Sequence, residues 1–217
     1  MNPYYQEMPL LSSLPEAIIA ETLVLRHYEV GERLFEQDDP TTGLWFVIEG
    51  RVAVERVGVD GNLTTTGVWV RGDIVGIAGL WDASGYPASA RALVSPTTMG
   101  WMPRNVVLRL HHEIPGFGME ISRHLAARLR YVQESLSNRQ GRPIVNQLAI
   151  VLQTLSYRMG HDISLTHEDL AHIIGTHRET VSRALHELTR QGAIVVRYGE
   201  IHIDDPKKLD RWGNAAR

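Results

Sequence analysis

Residues 165–203 read LTHEDLAHIIGTHRETVSRALHELTRQGAIVVRYGEIHI, and the fold is decided there. Thr166 with Asp169 one turn later is a capping-box-like helix start, and Leu170, Ile173 and Ile174 supply an apolar face. Gly175 ends that helix, Thr176 is placed to cap a second one from His177 to Arg190, and small Ala171 lets the two cross. The spacing predicts a helix-turn-helix. At about 100° per residue, Ser182, His186, Glu179 and Arg183 fall roughly 40–140° from Arg178, while Ala184, Leu188, Val181 and Leu185 fall roughly 240–340° from it. The apolar side suits packing on the first helix. The other side offers guanidinium forks that match two acceptors of guanine and a carboxylate that accepts from cytosine N4, which is base-reading chemistry. An ordinary solvated face is the alternative. Gly192 ends the helix, and residues 193–196 and 201–203 flank Arg197-Tyr198-Gly199-Glu200 as a β-hairpin, giving a wing whose Arg197 suits phosphates.

Upstream, residues 116–138 follow a helical period, with Ile121, Leu125, Leu129, Val132 and Leu136 as one apolar stripe. Such a stripe either packs on its own domain or pairs with a second copy of the chain. Gly141 and Pro143 break the pattern as a hinge, and Leu148, Val151, Leu152 and Leu155 mark a further helix over residues 144–159. Earlier still, residues 23–102 are short apolar-rich runs, such as 44–48, 52–59 and 66–70, punctuated by glycines. That regularity predicts an antiparallel sandwich or barrel, with Asp60-Gly61 as a hairpin turn. The expected fold is thus α+β: a β-roll over residues 1–115, a dimerisation helix over 116–140 and a winged helix-turn-helix over 141–217.

Composition narrows the function. The chain has 217 residues, 43% of them hydrophobic, enough for two cored domains. It has no cysteine, which excludes a disulfide framework, cysteine-ligated zinc and a cysteine-held iron–sulfur cluster, and suits a cytoplasmic location. Residues 1–14 lack the pattern of a signal peptide, and no apolar run is long enough for a bilayer, so no membrane partner is expected. The net charge of −3 lies entirely within residues 1–143; residues 144–217 are balanced. DNA binding must then come from the placement of charge on one face. Between Leu23 and Met102 the only histidine is His27, so the metal cluster of a cupin-like enzyme is missing and no enzyme is expected.

Leu170-Ala171-His172-Ile173-Ile174-Gly175 followed by Arg178-Glu179-Thr180-Val181-Ser182-Arg183 resembles the reader signature of the cyclic-AMP receptor protein/FNR family of bacterial transcription regulators. The resemblance extends to Val30-Gly31-Glu32-Arg33-Leu34-Phe35, Ile48-Glu49-Gly50-Arg51-Val52 and Arg71-Gly72-Asp73, which look like the family's β-roll turns. It implies a homodimer on an inverted TGTGA-like repeat of double-stranded DNA, read by Arg178, Glu179 and Arg183. Ser182, Thr166, His177 and Arg197 complete the expected interface. It also implies RNA polymerase as a partner, although the loop Arg158-Met159-Gly160-His161-Asp162 is shorter than in members that touch polymerase from it.

The effector region departs from the pattern. The segment 72–92 aligns with the family's phosphate cassette, giving Gly76, Ile77, Ala78, Tyr86, Pro87, Ala88 and Ser89, with Val132 and Gln133 of the long helix, as the expected pocket. Ile77 stands where cyclic-AMP binders have a ribose-holding Glu. Tyr86 or Pro87, depending on a gap, stands where they have the phosphate-pairing Arg, and Val132 and Gln133 replace small hydroxyl residues. A buried phosphate without its Arg is an uncompensated charge, so cyclic AMP is not expected as the effector. Haem on His27, His111, His112 or His124 has no supporting ligand spacing. Trp45, Trp69, Trp81 and Trp101 either line a pocket for an organic effector or fill the core. The competing function is a small-molecule-binding regulatory module that acts through protein contacts.

Overall fold

The computed structural model describes Tyr5 and residues 7–81, 84–139, 141–197 and 199–214. Two short helices, α1 (Pro9–Ser12) and α2 (Glu16–Thr22), precede strands β1 (Val24–Tyr28), β2 (Arg33–Phe35), β3 (Gly43–Glu49), β4 (Arg51–Val57), β5 (Leu63–Val70), β6 (Ile74–Val75), β7 (Ser89–Ala92) and β8 (Thr97–Pro103). They form two antiparallel four-stranded sheets, ordered β1-β8-β3-β6 and β2-β7-β4-β5. The Asp60-Gly61 turn is present, with Gly61 at φ +78° donating its N–H to Gly58.

Strand β3 shows why its sequence is apolar at nearly every position rather than alternating. Leu44, Phe46 and Ile48 face a core completed by Leu11, Ile19, Val107, Leu110 and Phe117 from the surrounding helices. Trp45 and Val47 face the interior between the sheets, with Val52, Trp69, Val75 and Met99. Both faces are therefore covered, which removes the period-two signal. Trp45 and Trp69 are core residues and Trp101 is partly buried against them. Trp81 is not: it is 44% exposed, lying edge-on to His111 at 5.5 Å.

Helix α3 (Arg104–Glu113) leads into the long α4 (Pro115–Arg139). The expected apolar stripe on α4 divides in two. Ile121, 1% exposed, is part of the β-roll core together with Phe117, so it is unavailable to a second chain. Leu125, Leu129 and Val132 lie roughly 20–80° round the helix from Ile121 and are exposed, Leu129 by 61%. The side chain of Leu136 lies outside the described residues. On the inward face, His124 and Arg128 continue from Phe117 and Ile121, and the Arg128 guanidinium lies 4.3 Å from the centre of the Trp69 ring.

The chain divides into two compact units, Met1–Val57 with Gly67–Val132 and Gly58–Thr66 with Gln133–Arg217, so that one boundary falls within α4. The second unit holds α5 (Ile144–Met159), β9 (Asp162–Ile163), α6 (His167–Ile174), α7 (Arg178–Arg190), β10 (Ile194–Arg197), β11 (Glu200–Ile203) and α8 (Pro206–Asn214). Its strands form one antiparallel sheet in the order β10-β11-β9. Helix α8, absent from the sequence expectation, is tied to α5 by the Asn146 amide, which donates to the Trp212 carbonyl at 2.7 Å. No helix among the described residues is long and apolar enough to cross a membrane.

Candidate nucleic-acid interface and effector region

Helix α6 starts as its sequence predicts. The Thr166 hydroxyl accepts the Asp169 N–H at 3.1 Å, and the Asp169 carboxylate accepts the Thr166 N–H at 3.0 Å. The hydroxyl also donates to that carboxylate at 2.6 Å, so it is already engaged within the cap. At the other end Gly175 adopts φ +80°, a conformation open to glycine but strained for most residues. Its N–H and that of Thr176 both reach the Ala171 carbonyl, which folds the chain sharply into α7. Here the expectation is corrected: the N-cap of α7 is His177, without a side-chain bond, and not Thr176. Thr176 is instead consumed in closing the turn.

Val181, Ala184, Leu185 and Leu188 are buried on one side of α7, as the angular arithmetic requires. His177, Arg178, Glu179, Arg183 and His186 are exposed on the other. The Arg183 guanidinium reaches the Thr180 hydroxyl at 3.3 Å. Ser182, expected among the exposed readers, is half-buried, and its hydroxyl lies 2.8 Å from His167 Nδ1 on α6. This cross-helix link was not read from the sequence; its one signal is a polar residue directly after the Thr166 cap.

The wing alternates as a half-buried hairpin should. Ile194, Ile201 and Ile203 face the core, and Arg197 pairs with Glu200 across the turn. Tyr198 lies outside the described residues. On β9 the Asp162 carboxylate sits 2.6 Å from His202 Nδ1, and this bond holds the acid below its ordinary value. Between α6, the start of α7 and the wing runs a groove of about 710 Å³, lined by Thr166, His167, Glu168, Arg178, Arg197 and Glu200 over a floor that includes Leu165 and Ile201. The structure thus gathers Thr166, Arg178 and Arg197 around one groove and leaves Glu179 and Arg183 exposed on the adjoining helix face.

In the first unit, the cassette-like turn is packed shut by Tyr86. The side chain is 1% exposed and stacks on Phe35 with ring centres 3.7 Å apart. Its phenol oxygen accepts from the Thr42 N–H, the Gly43 N–H and Trp45 Nε1, each at 3.2 Å, and donates to the Gly43 carbonyl at 3.0 Å. Gly76 has φ +86°, and a Cβ there would stand 2.9 Å from the Tyr86 ring. Ile77 belongs to the helix-facing core, and Ser89 bridges Glu36 and the Gln37 N–H. Pro87 and Ala78 are exposed, Ala88 is buried, and Val132 and Gln133 are exposed on α4. Arg91, the one cation of the segment 72–92, is bound through Nε to the buried Glu55 carboxylate at 3.1 Å. These groups do not fit a cyclic phosphate: its guanidinium is replaced by a phenol whose hydrogen bonds are all internal.

A β-roll, a long helix and a winged helix-turn-helix with an exposed Arg–Glu–Arg face define the class of DNA-binding transcription regulators. Residues 146–212 match the Crp-like helix-turn-helix domain, and residues 25–113 match the cyclic nucleotide-binding domain. The chain is 30% identical over 186 residues to the cyclic AMP receptor protein of Thermus thermophilus, spanning 85% of this chain and 86% of that one. It is 26% identical over 209 residues to the CRP-like cAMP-activated global transcriptional regulator of Mycobacterium tuberculosis, spanning 91% and 92% of the two chains. A solved CRP-family transcriptional regulator from Thermus thermophilus superposes with a TM-score of 0.73 at 26% identity, over 87% of this chain and 96% of that one. FixK2 from Bradyrhizobium japonicum, at 20% identity, shares the fold with a TM-score of 0.79, over 90% and 99%. The chain belongs to the CRP/FNR family: it is a transcriptional regulator with a helix-turn-helix DNA-binding domain.

Proposed function

We propose that this regulator binds an inverted TGTGA-like repeat as a homodimer and does so without control by cyclic AMP. The observation that carries the reading is the exposed face of α7, where Arg178, Glu179 and Arg183 stand opposite a fully buried apolar stripe. In a major groove the two arginines pair with guanine, and Glu179 accepts from cytosine while repelling bases that present acceptors. Backbone amides at the start of α7 and the Arg197 side chain hold phosphates and set the register. Exposed Leu125, Leu129 and Val132 on α4 support pairing with a second copy, which spaces two reader helices about one DNA turn, roughly 34 Å, apart. Closure of the effector turn around Tyr86 supports independence from the cyclic nucleotide. RNA polymerase as a partner is part of the same proposal, without the short loop of residues 158–162 as its contact.

Selection of bound sites from random DNA, with and without cyclic AMP, tests the reading. A TGTGA inverted repeat recovered equally under both conditions is the expected result. A single unpaired half-site, or no enrichment, overturns the dimeric reader; recovery only with the nucleotide overturns the independence.

A further inference from the structure

The apolar contact between α6 and α7 turns Val181, Ala184, Leu185 and Leu188 inward and so sets the coarse roll of α7, but apolar packing is non-directional and leaves the fine roll to polar contacts. The link between His167 Nδ1 and Ser182 Oγ is directional, at 2.8 Å, and it ends on the residue beside Arg183. His167 also borders the groove. The charged groups facing it there are Glu168 on its own helix, Arg178 on α7, and Arg197 and Glu200 on the wing. Asp169, next along α6, is occupied by the Thr166 cap. With a neutral imidazole the two arginines and two glutamates of the groove cancel. One proton on His167 leaves the groove cationic.

We infer that His167 is a positioning and phosphate-contacting residue of the DNA interface, and that it makes DNA affinity depend on pH. The inference rests on the DNA-reading function proposed above. One ring nitrogen holds Ser182 and thereby the rotation of the reader helix; the protonated ring presents the other N–H, with a positive charge, to a backbone phosphate entering the groove. An adjacent phosphate favours the charged form of the imidazole over the neutral one. A group whose value rises on binding contributes affinity that is fully present below its free value and is lost as pH climbs through its bound value.

The test is DNA-binding anisotropy of the intact chain on the selected duplex, at fixed ionic strength, between about pH 5.5 and about pH 8. Affinity of the unaltered chain is expected to rise roughly tenfold on acidification, as a charge-assisted contact forms. Six of the ten histidines lie between positions 161 and 202, so the share of His167 is read as the difference from His167→Gln, whose profile is expected to be flatter. Ser182→Ala is expected to relax the base preference while leaving the salt dependence unchanged. Coincident pH profiles for the unaltered chain and His167→Gln, or full base preference in Ser182→Ala, overturn the inference. If His167→Gln fails to fold, the imidazole resonance of the unaltered chain decides: a titration midpoint that does not rise when DNA is added overturns it. A chain that shows no sequence-selective binding at any pH overturns the parent reading and this one together.

Discussion

Arg178 and Arg183 are both exposed on one polar face of α7, and their different surroundings make them separable by substitution. Arg178 borders the groove, while Arg183 leans on Thr180 beyond it. Replacing either by Ala is expected to cost about 1–3 kcal/mol of specific binding and to relax preference at one base position per half-site. Competition assays with single-base variants of the site measure this; equal losses on cognate and random DNA would reassign both arginines to phosphates. Tyr86 is the corresponding residue in the first unit. Tyr86→Phe keeps the stack on Phe35 but strips the acceptor shared by the Gly43 N–H and Trp45 Nε1. Urea unfolding is expected to show a loss of about 1–3 kcal/mol, the cost of buried donors left unpaired. The polar face of α7 was legible from residue spacing because the amphipathic period separates it from the buried stripe of Val181, Ala184, Leu185 and Leu188. The Tyr86 hub was not, since a tyrosine in a glycine-rich turn gives no sign of how many backbone donors converge on its oxygen.

At the level of elements, α4 carries two apolar faces where the sequence shows one stripe. Heptad-like spacing registers that a residue is apolar, and Ile121 and Leu125 are equally so; only the position of the β-roll assigns the first to the core and the second to the outside. Leu129→Glu therefore tests association without disturbing the roll. Each buried leucine contributes about 1.5–3 kcal/mol, so a dimer losing two of them is expected to weaken by roughly 3–6 kcal/mol, and sedimentation equilibrium should find monomer. An unchanged assembly state would place the dimer contact elsewhere. Helix α8 was missed for a related reason: residues 206–214 are strongly charged, and the segment is held by Leu209 and by polar bonds to α5 in place of a broad apolar face.

For the molecule as a whole, acidity acts on the two units in different ways. Burial pushes the His124 imidazole below its ordinary value, against the pull of Asp73 and helped by Arg128. The unfolded chain therefore takes up this proton at a higher pH than the folded one. Stability from His124 is complete above about pH 6.5 and declines as pH falls from there to the folded value. His124→Gln is expected to flatten that part of the stability profile, measured by urea unfolding at about pH 7.5 and about pH 5.5; a slope unchanged by the substitution would locate the sensitivity at another group. The β-roll, long helix and winged domain were all readable in the sequence because each has its own period and glycine punctuation. The groove between α6, α7 and the wing was not, as its walls come from segments about 30 residues apart whose register only the folded sheet supplies.

The closed turn around Tyr86 has a further consequence, for engineering. On the reading proposed above, a designer who wants nucleotide control cannot install it by one substitution. An arginine at position 86 would bring the charge a phosphate needs, but it removes the acceptor on which the Thr42 and Gly43 amides and Trp45 converge and forfeits the stack on Phe35. Gly76 would still press the turn against the same space. Tyr86→Arg alone therefore costs stability before any ligand contact can form, and compensating changes around the turn have to precede it.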